Sequence, residues 1–297
     1  MKNTSTKINV SNSIKPTPVF TGVAGQDGAI YDDFLFRFET NGNCTVYSLS
    51  KREQIARFTL DKVDIIKPHS NTVCFTSEYF AATDEFPLLY CNVYNNYAKE
   101  EDRREGMCCV YRIMRDGENF TSALVQIIRI GFVEDLNLWK SLPEGGDNRP
   151  YGNFVPDVTN GRLYAYVMRD EPHTTRFFEF LMPCLSQGTY DEKYGVKVLT
   201  LNVSDIKAQF DCEYFNIIQG GCAYNGLLYS VEGGTVKDGV CKNWPRLRVV
   251  DTVKHELVAS VDLHTFGLSF EPELIDFAGD TLYFMDCKGN VYTLEFC

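Results

Sequence analysis

An all-β fold built of repeated antiparallel modules is what this 297-residue sequence predicts, and three observations predict it. Short runs of alternating apolar and polar residues follow one another along most of the chain. Hairpin-turn dipeptides separate them, and a turn leading into an aromatic-bearing strand recurs. Helical periodicity is confined to "EDLNLWKSL" and "SDIKAQF", which read as short helical turns.

In chain order, "GAIYDDFLFRFET", "GNCTVYSLS" and "EQIARFTLD" read as strands joined by hairpin turns. The region 71–131 then gives four strands in a row, "NTVCFTSE", "FPLLYCNVY", "GMCCVYRIMRDG" and "FTSALVQIIRIG". Three later segments share the turn-then-aromatic pattern, "VTNGRLYAYVM", "AYNGLLYSVEG" and "FAGDTLYFMD". Each is followed by a second strand, "TTRFFEFLMP", "PRLRVVDTV" and "GNVYTLEF", and two by a third, "GVKVLTLNV" and "ELVASVDLH". Asn41-Gly42, Asp116-Gly117, Asn160-Gly161, Asn225-Gly226 and Gly289-Asn290 supply the turn residues such hairpins require.

Modules of three or four antiparallel strands repeated in series describe a β-propeller, in which radial repetition protects the sheet edges. Five modules are expected, at 25–62, 68–132, 150–205, 215–264 and 270–296, within a single domain spanning 1–297. The last module lacks an outer strand, and the N-terminal segment, "KINVSNSI" or "TPVFTGV", is expected to supply it and close the ring. Six blades, or two β-sandwiches, are the alternative arrangements.

Composition narrows the function classes. A hydrophobic content of 44% is ample for a core. A net charge of -11 argues against a phosphate-backbone binder, so nucleic acid is not an expected partner. No run of about 18 apolar residues exists to span a membrane. The polar first 20 residues lack the apolar stretch of a secretory signal, which leads to the expectation of a cytoplasmic location. Eleven cysteines, an odd number sitting mostly in strand-like runs, read as reduced thiols, with Cys108 and Cys109 facing opposite sides of one strand. Cys44, Cys241 and Cys297 have no obvious place in that scheme. Only four histidines and no Cys/His ligand spacing are present, so neither a metal nor another cofactor is expected.

The segments that lead into each inner strand form one mouth of a propeller. Here they carry Asp27 with Gln26, His69 with Asn71, Arg149 with Tyr151 and Asn153, Asn216 with Gln219, and Glu271 with Glu273. Turn residues of these types commonly serve only their own backbone. Five such segments carrying amide, imidazole, guanidinium, phenol and carboxyl groups nevertheless suit a hydroxyl-rich ligand. An Arg in the ring would favour a carboxylate such as a uronic or sialic acid. Glu271 and Glu273 flank Pro272 on one side of an extended strand, a spacing suited to acid and base work on a glycosidic bond; His69 is the third catalytic candidate. A structural ion pair between one Glu and Arg149 is the competing reading. Arg103, Arg169 and Arg176, on outlying loops, could reach over the mouth, and Trp244 could serve as a stacking platform, although an aromatic next to Pro245 more often packs within its own loop.

The "NGRLYAY", "NGLLYSV" and "GDTLYFM" strands resemble those of the β-propeller superfamily, and most of the chain looks like uncharacterised single-domain bacterial propellers. The five-module count is similar to the catalytic domains of furanosidases and related glycoside hydrolases, which place three carboxylates on the inner strands of their first blades. Asp27 matches the first. The second blade offers His69 and Asn71 and the third offers Arg149 and Asn153, with Asp157 deep in its strand, so that catalytic pattern is not reproduced. Trp-Asp and kelch signatures are absent. Three readings follow: a propeller binding a carbohydrate or other small polar molecule, a carbohydrate-active enzyme, or a scaffold for a protein partner.

Overall fold

The computed structural model describes residues 9–23, 25–93, 106–132, 148–169, 174–213, 215–239 and 244–297, without the side chains of 148–152 and 169. Five antiparallel blades follow one another around an axis. Blade 1 holds β2 (Gly28–Tyr31), β3 (Phe34–Phe38), β4 (Asn43–Ser48) and β5 (Glu53–Thr59), ordered from the axis outwards. Blade 2 begins with β6 (Val73–Phe75), β7 (Leu89–Val93), β8 (Met107–Asp116) and β9 (Asn119–Ile130). Blade 3 is β10 (Asn148–Asp157), β11 (Arg162–Arg169), β12 (Thr174–Leu181) and β15 (Ala208–Glu213). Blade 4 is β16 (Ile218–Tyr224), β17 (Leu227–Glu232), β18 (Arg246–Asp251) and β19 (Glu256–Asp262). Blade 5 is β20 (Pro272–Ala278), β21 (Thr281–Asp286) and β22 (Val291–Phe296), completed by β1 (Ile14–Phe20).

Each blade is buried on both faces, because each faces a neighbour on either side. Strand β8 shows the consequence: Cys109, Tyr111 and Ile113 pack with Phe36, Phe38 and Phe120 between blades 1 and 2. Cys108 and Val110, one residue out of phase, pack with Phe154, Ala165 and Phe178 between blades 2 and 3. The two adjacent thiols therefore do point to opposite faces, and both are buried. Three further clusters fill the joints between blades 3 and 4, 4 and 5, and 5 and 1. Two-sided burial explains why "CCVYRIM" reads as almost continuously apolar.

The N-terminal segment closes the ring. Strand β1 pairs antiparallel with β22, from Ile14 opposite Phe296 to Phe20 opposite Val291. Ile14, 3% exposed, packs beneath this pair with Tyr229, Leu247 and Leu294. First and last strands thus share one sheet, and blade 5 cannot form without both chain ends.

The third module differs from its expected boundaries. "GVKVLTLNV" does not join blade 3: β14 (Val196–Leu201) pairs in parallel with β9 of blade 2, Val198 opposite Ile127, and carries β13 (Thr189–Asp191) on its outer side. The fourth strand of blade 3 is β15, which opens within the expected helical turn "SDIKAQF"; only Val203–Asp205 there is a short 3-10 helix. The other expected turn, "EDLNLWKSL", lies outside the described residues. Among the described residues no helix is long and apolar enough to cross a membrane.

Candidate functional site

The inner strands do not reach the mouth as regular ladder. On β16 the pairing passes from Ile218 opposite Glu232 to Gly220 opposite Val231, which leaves Gln219 as an extra residue. On β20 it passes from Pro272 opposite Asp286 to Leu274 opposite Met285, which leaves Glu273 in the same position one blade on. Strand β10 holds an irregularity between Arg149 and Asn153. In blade 1, Gln26 N–H donates to the Phe38 carbonyl while Phe38 N–H donates to that of Asp27, so two residues face one. In blade 2, Ser70 and Thr72 adopt positive φ of 56° and 61° just before β6. Bulges and left-handed residues re-aim side chains and end pairing, and they concentrate at functional sites. Here they release one polar residue after another from the ladder around the axis.

Beneath the mouth, side chains of blades 1, 2 and 3 interlink, and Gly220 of blade 4 and the Glu273 carbonyl of blade 5 come up against Asp27. Asp27 accepts Gly28 N–H at 2.7 Å and, across the blade joint, Val73 N–H at 3.0 Å. Asn71 Oδ1 accepts from Thr72 Oγ1 and from Asn153 Nδ2, each at 3.3 Å, and Asn153 Nδ2 also reaches Tyr166 OH at 3.3 Å. Asn92 ties blade 2 to blade 3, giving Nδ2 to the Thr72 and Phe154 carbonyls and accepting Phe154 N–H at 2.9 Å. Blade 4 contributes Gly220, where a Cβ would stand 2.8 Å from the Glu273 carbonyl and 3.2 Å from Asp27 Oδ1. Only glycine fits so close to the neighbouring backbone. Below it, Cys74 Sγ donates to the Gly221 carbonyl at 3.2 Å, from blade 2 to blade 4 across the axis. Among the described residues, this contact joins blades 2 and 4 beneath the mouth.

Above these residues stand two carboxamide–carboxyl pairs. Gln26 Nε2 donates to Glu273 Oε2 at 3.1 Å, and Gln219 Nε2 donates to Glu271 Oε1 at 2.6 Å. Glu271 is half-buried, whereas Glu273 is 5% exposed. Burial pushes the Glu273 carboxyl up to about 9, with the nearby charges of Glu271, Asp27 and Asp286 adding to it and that of Arg37 opposing. Burial also raises Glu271 and holds Asp27 well above the usual carboxylate range, against its two backbone N–H bonds and Arg37. Arg37, fully buried, gives Nη1 to the Gln26 carbonyl at 2.7 Å and Nη2 to that of Gly25. It props up the chain that presents Gln26 and Asp27. Further down, Asp276 of β20 accepts Ile30 N–H at 2.7 Å, and burial pushes it up to about 7.

The other residues expected at or near the mouth have different placements. His69 is half-buried and held neutral, its imidazole pushed down to about 4 by burial. Asn216 turns its Oδ1 to Ile217 N–H at 2.8 Å. Arg149 and Tyr151 lie on β10, but their side chains fall outside the described part, as do that of Arg169 and the whole of Arg103 and Cys241. Arg176 is paired with Asp211 at 2.8 Å, and Trp244 sets its ring edge-on to His264. Asp157 is at the far end of β10, accepting from Thr159 and Asn160 in the turn. Cys44 is buried and Cys297 exposed; all ten described cysteines are free thiols. Among the described residues no three His, Cys, Asp or Glu side chains are grouped to hold a metal ion.

Two buried arginines are not evident from the sequence. Besides Arg37, Arg248 pairs with Glu232 at 2.9 Å, and both are essentially unexposed. Arg248 Nη1 bridges to blade 3 through Thr175 Oγ1 and the Glu213 carbonyl, while Glu232 accepts the N–H groups of Phe215 and Asn216. This pair fixes the turn that delivers Gln219. Arginine inside an apolar strand, as in "FLFRF" and "RLRVV", is the one signal of them, since both faces of a blade are buried.

No protein-family model and no curated protein matches this sequence. Among solved structures, the chain is similar to a Myxococcus xanthus glutaminyl cyclase, with 10% identity over 95% of this chain and 94% of that one and a TM-score of 0.42. It is also similar to Chaetomium thermophilum Raptor, again at 10% identity over 95% of this chain, with a TM-score of 0.40. The match covers 29% of the Raptor chain.

Proposed function

We propose that this five-bladed propeller binds a small hydroxyl-rich ligand, a carbohydrate in the first instance, at the mouth of its axis. Gln26, Gln219, Glu271 and Glu273 are the contacts, and Asp27, Asn71 and Asn153 lie beneath them. The observation that carries this reading is the pair of bulges that turn Gln219 and Glu273 out of their ladders at equivalent places in adjacent blades. A bulge costs ladder hydrogen bonds, and two side by side present groups that both donate and accept, as vicinal hydroxyls require.

One observation favours hydrolysis of a glycosidic bond as a second reading. Glu273 keeps its proton up to about pH 9 beside Glu271, and a carboxyl held protonated next to a second carboxyl can divide the acid and base roles. Steady release of reducing sugar, abolished by Glu271→Gln, would establish it; binding without release would leave the protein a binder.

The test is a thermal-shift panel of neutral mono- and oligosaccharides on the wild type and Gln219→Ala. A rise in Tm with one sugar class, lost in the variant, is expected. No shift with any sugar would remove this reading in favour of a scaffold for a protein partner.

A further inference from the structure

The crossing of β14 to blade 2 shapes the outside of the molecule as well. Because β14 runs beside β9, blade 3 takes β15 as its outer strand, and residues 202–207 bridge from one blade to the other. Between the end of β12 and the end of β14 lies a cleft of about 350 Å³. Phe180 and Leu201 on its lining, 1% and 5% exposed, belong to the apolar joint between blades 2 and 3. Met182, Pro183 and Leu199 continue the apolar lining, and Leu181, 53% exposed, forms its lip. A space of this size is at the small end of ligand pockets. No residue of the mouth lines it.

Both walls are fixed. Gln126, 1% exposed, gives its Nε2 to the carbonyls of Cys184 at 3.1 Å and Gln187 at 3.0 Å, and Gln187 Oε1 accepts Cys184 N–H at 2.8 Å. A buried amide thus holds the loop that follows β12. Opposite, Asn202 N–H donates to Asp205 Oδ2 at 2.7 Å and pins the bridging turn. Walls held in this way spare a ligand the cost of ordering them.

The same bonds leave the rim one-sided. Its side-chain acceptors are occupied, Gln187 Oε1 by Cys184, Asp205 Oδ2 by Asn202, and Thr200 Oγ1 by Arg129 Nε at 2.9 Å. Its donors are open. Lys207 and Gln187 both line the cleft, and among the described residues Lys207 Nζ and Gln187 Nε2 have no hydrogen-bond or ion-pair partner. Asp205 is turned onto its own 3-10 turn, so the free charge the rim offers is the lysine's.

We infer that this cleft binds an amphipathic carboxylate, its apolar chain or ring seated on Phe180, Leu199 and Leu201 and its carboxylate on Lys207 Nζ and Gln187 Nε2. The apolar body covers the lining from water, and the carboxylate supplies the acceptors that both donors lack. A neutral alcohol covers the lining but leaves the charge unmet, and an alkylamine sets a second cation against Lys207.

Isothermal titration of the full chain at low ionic strength tests this with sodium octanoate, 1-octanol and octylamine, each kept below its aggregation limit. Octanoate should bind with a stoichiometry of one, at least about fivefold more tightly than 1-octanol and more tightly still than octylamine. Lys207 is exposed, so Lys207→Gln should keep the Tm of the wild type while lowering the affinity for octanoate to that for 1-octanol. Leu181→Asp, a change at the exposed lip, should weaken octanoate further, again without loss of Tm. Equal affinity for the three probes, or octanoate binding untouched by Lys207→Gln, would overturn the carboxylate assignment. Octanoate binding untouched by Leu181→Asp, or no binding of any probe, would overturn the cleft as the site.

Discussion

Replacing Glu273 by Gln should stabilise the protein at neutral pH, and the size of the gain follows from its burial. The carboxyl ionises near 9 in the folded chain against an ordinary value of 4.5. Folded protein therefore holds this proton more tightly than unfolded protein does. A group whose folded value is raised contributes its full stability below the unfolded value, here about pH 4.5, and loses it as the pH rises towards the folded value. At pH 7 the unfolded chain has already gained from ionising while the folded chain has not, a handicap of about 3 kcal/mol at roughly 1.4 kcal/mol per pH unit. Gln is nearly isosteric, keeps an oxygen for Gln26 Nε2, and carries no such handicap. Urea denaturation of both proteins at pH 4.5, 5.5 and 7 is the assay. Curves that coincide at pH 4.5 and separate by about 3 kcal/mol at pH 7 are expected. A variant no more stable than wild type at pH 7, or an offset independent of pH, would refute the reasoning. Such a gain at the expense of ligand binding is the usual exchange between stability and a strained site.

Other perturbations have equally definite outcomes. Arg248→Met leaves Glu232 buried and uncompensated in the joint between blades 3 and 4, so urea denaturation should show a loss of about 3 to 5 kcal/mol; a loss below about 1 kcal/mol would mean the pair is dispensable. Gly220→Ala forces a Cβ against the Glu273 carbonyl at 2.8 Å, and its Tm should fall in line with about 1 to 3 kcal/mol of overpacking. Removing the first 20 residues deletes β1, bares β22 and exposes the pocket of Ile14. Burial of Ile14 alone is worth about 2 kcal/mol, so an unchanged Tm in the truncated chain would contradict ring closure.

The five-bladed architecture was legible because its signals are local. Period-two runs, Asn-Gly turns at Asn160 and Asn225, and the aromatic strands they open each lie within a dozen residues, and a blade is a local unit. Even closure could be read, since the last module lacked an outer strand and the N-terminus offered one. Parallel pairing of β14 with β9 was not legible. Nothing in "GVKVLTLNV" distinguishes a strand that continues its own blade from one that crosses to the blade before it, because alternation satisfies either edge. Bulges were hidden for a related reason. Gln219 and Glu273 become extra residues only when their strands are counted against β17 and β21, and that register is a property of the pair. Residue types at the mouth could be named from sequence, but whether a side chain faces the mouth or its own turn could not. Asn216 and Gln219, three positions apart, went to the turn and to the mouth respectively.

The most direct test of the central claim, that released side chains at the mouth hold a ligand above the residues packed beneath it, is a crystal structure of the protein soaked with the sugar class that raises its Tm. Density within hydrogen-bond distance of Glu271 and Gln219, with Asp27, Asn153 and Gly220 packed beneath it, is the predicted result. Density that occupies the axis below Gly220, or a mouth left empty in a crystal whose sugar sits elsewhere on the surface, would contradict it.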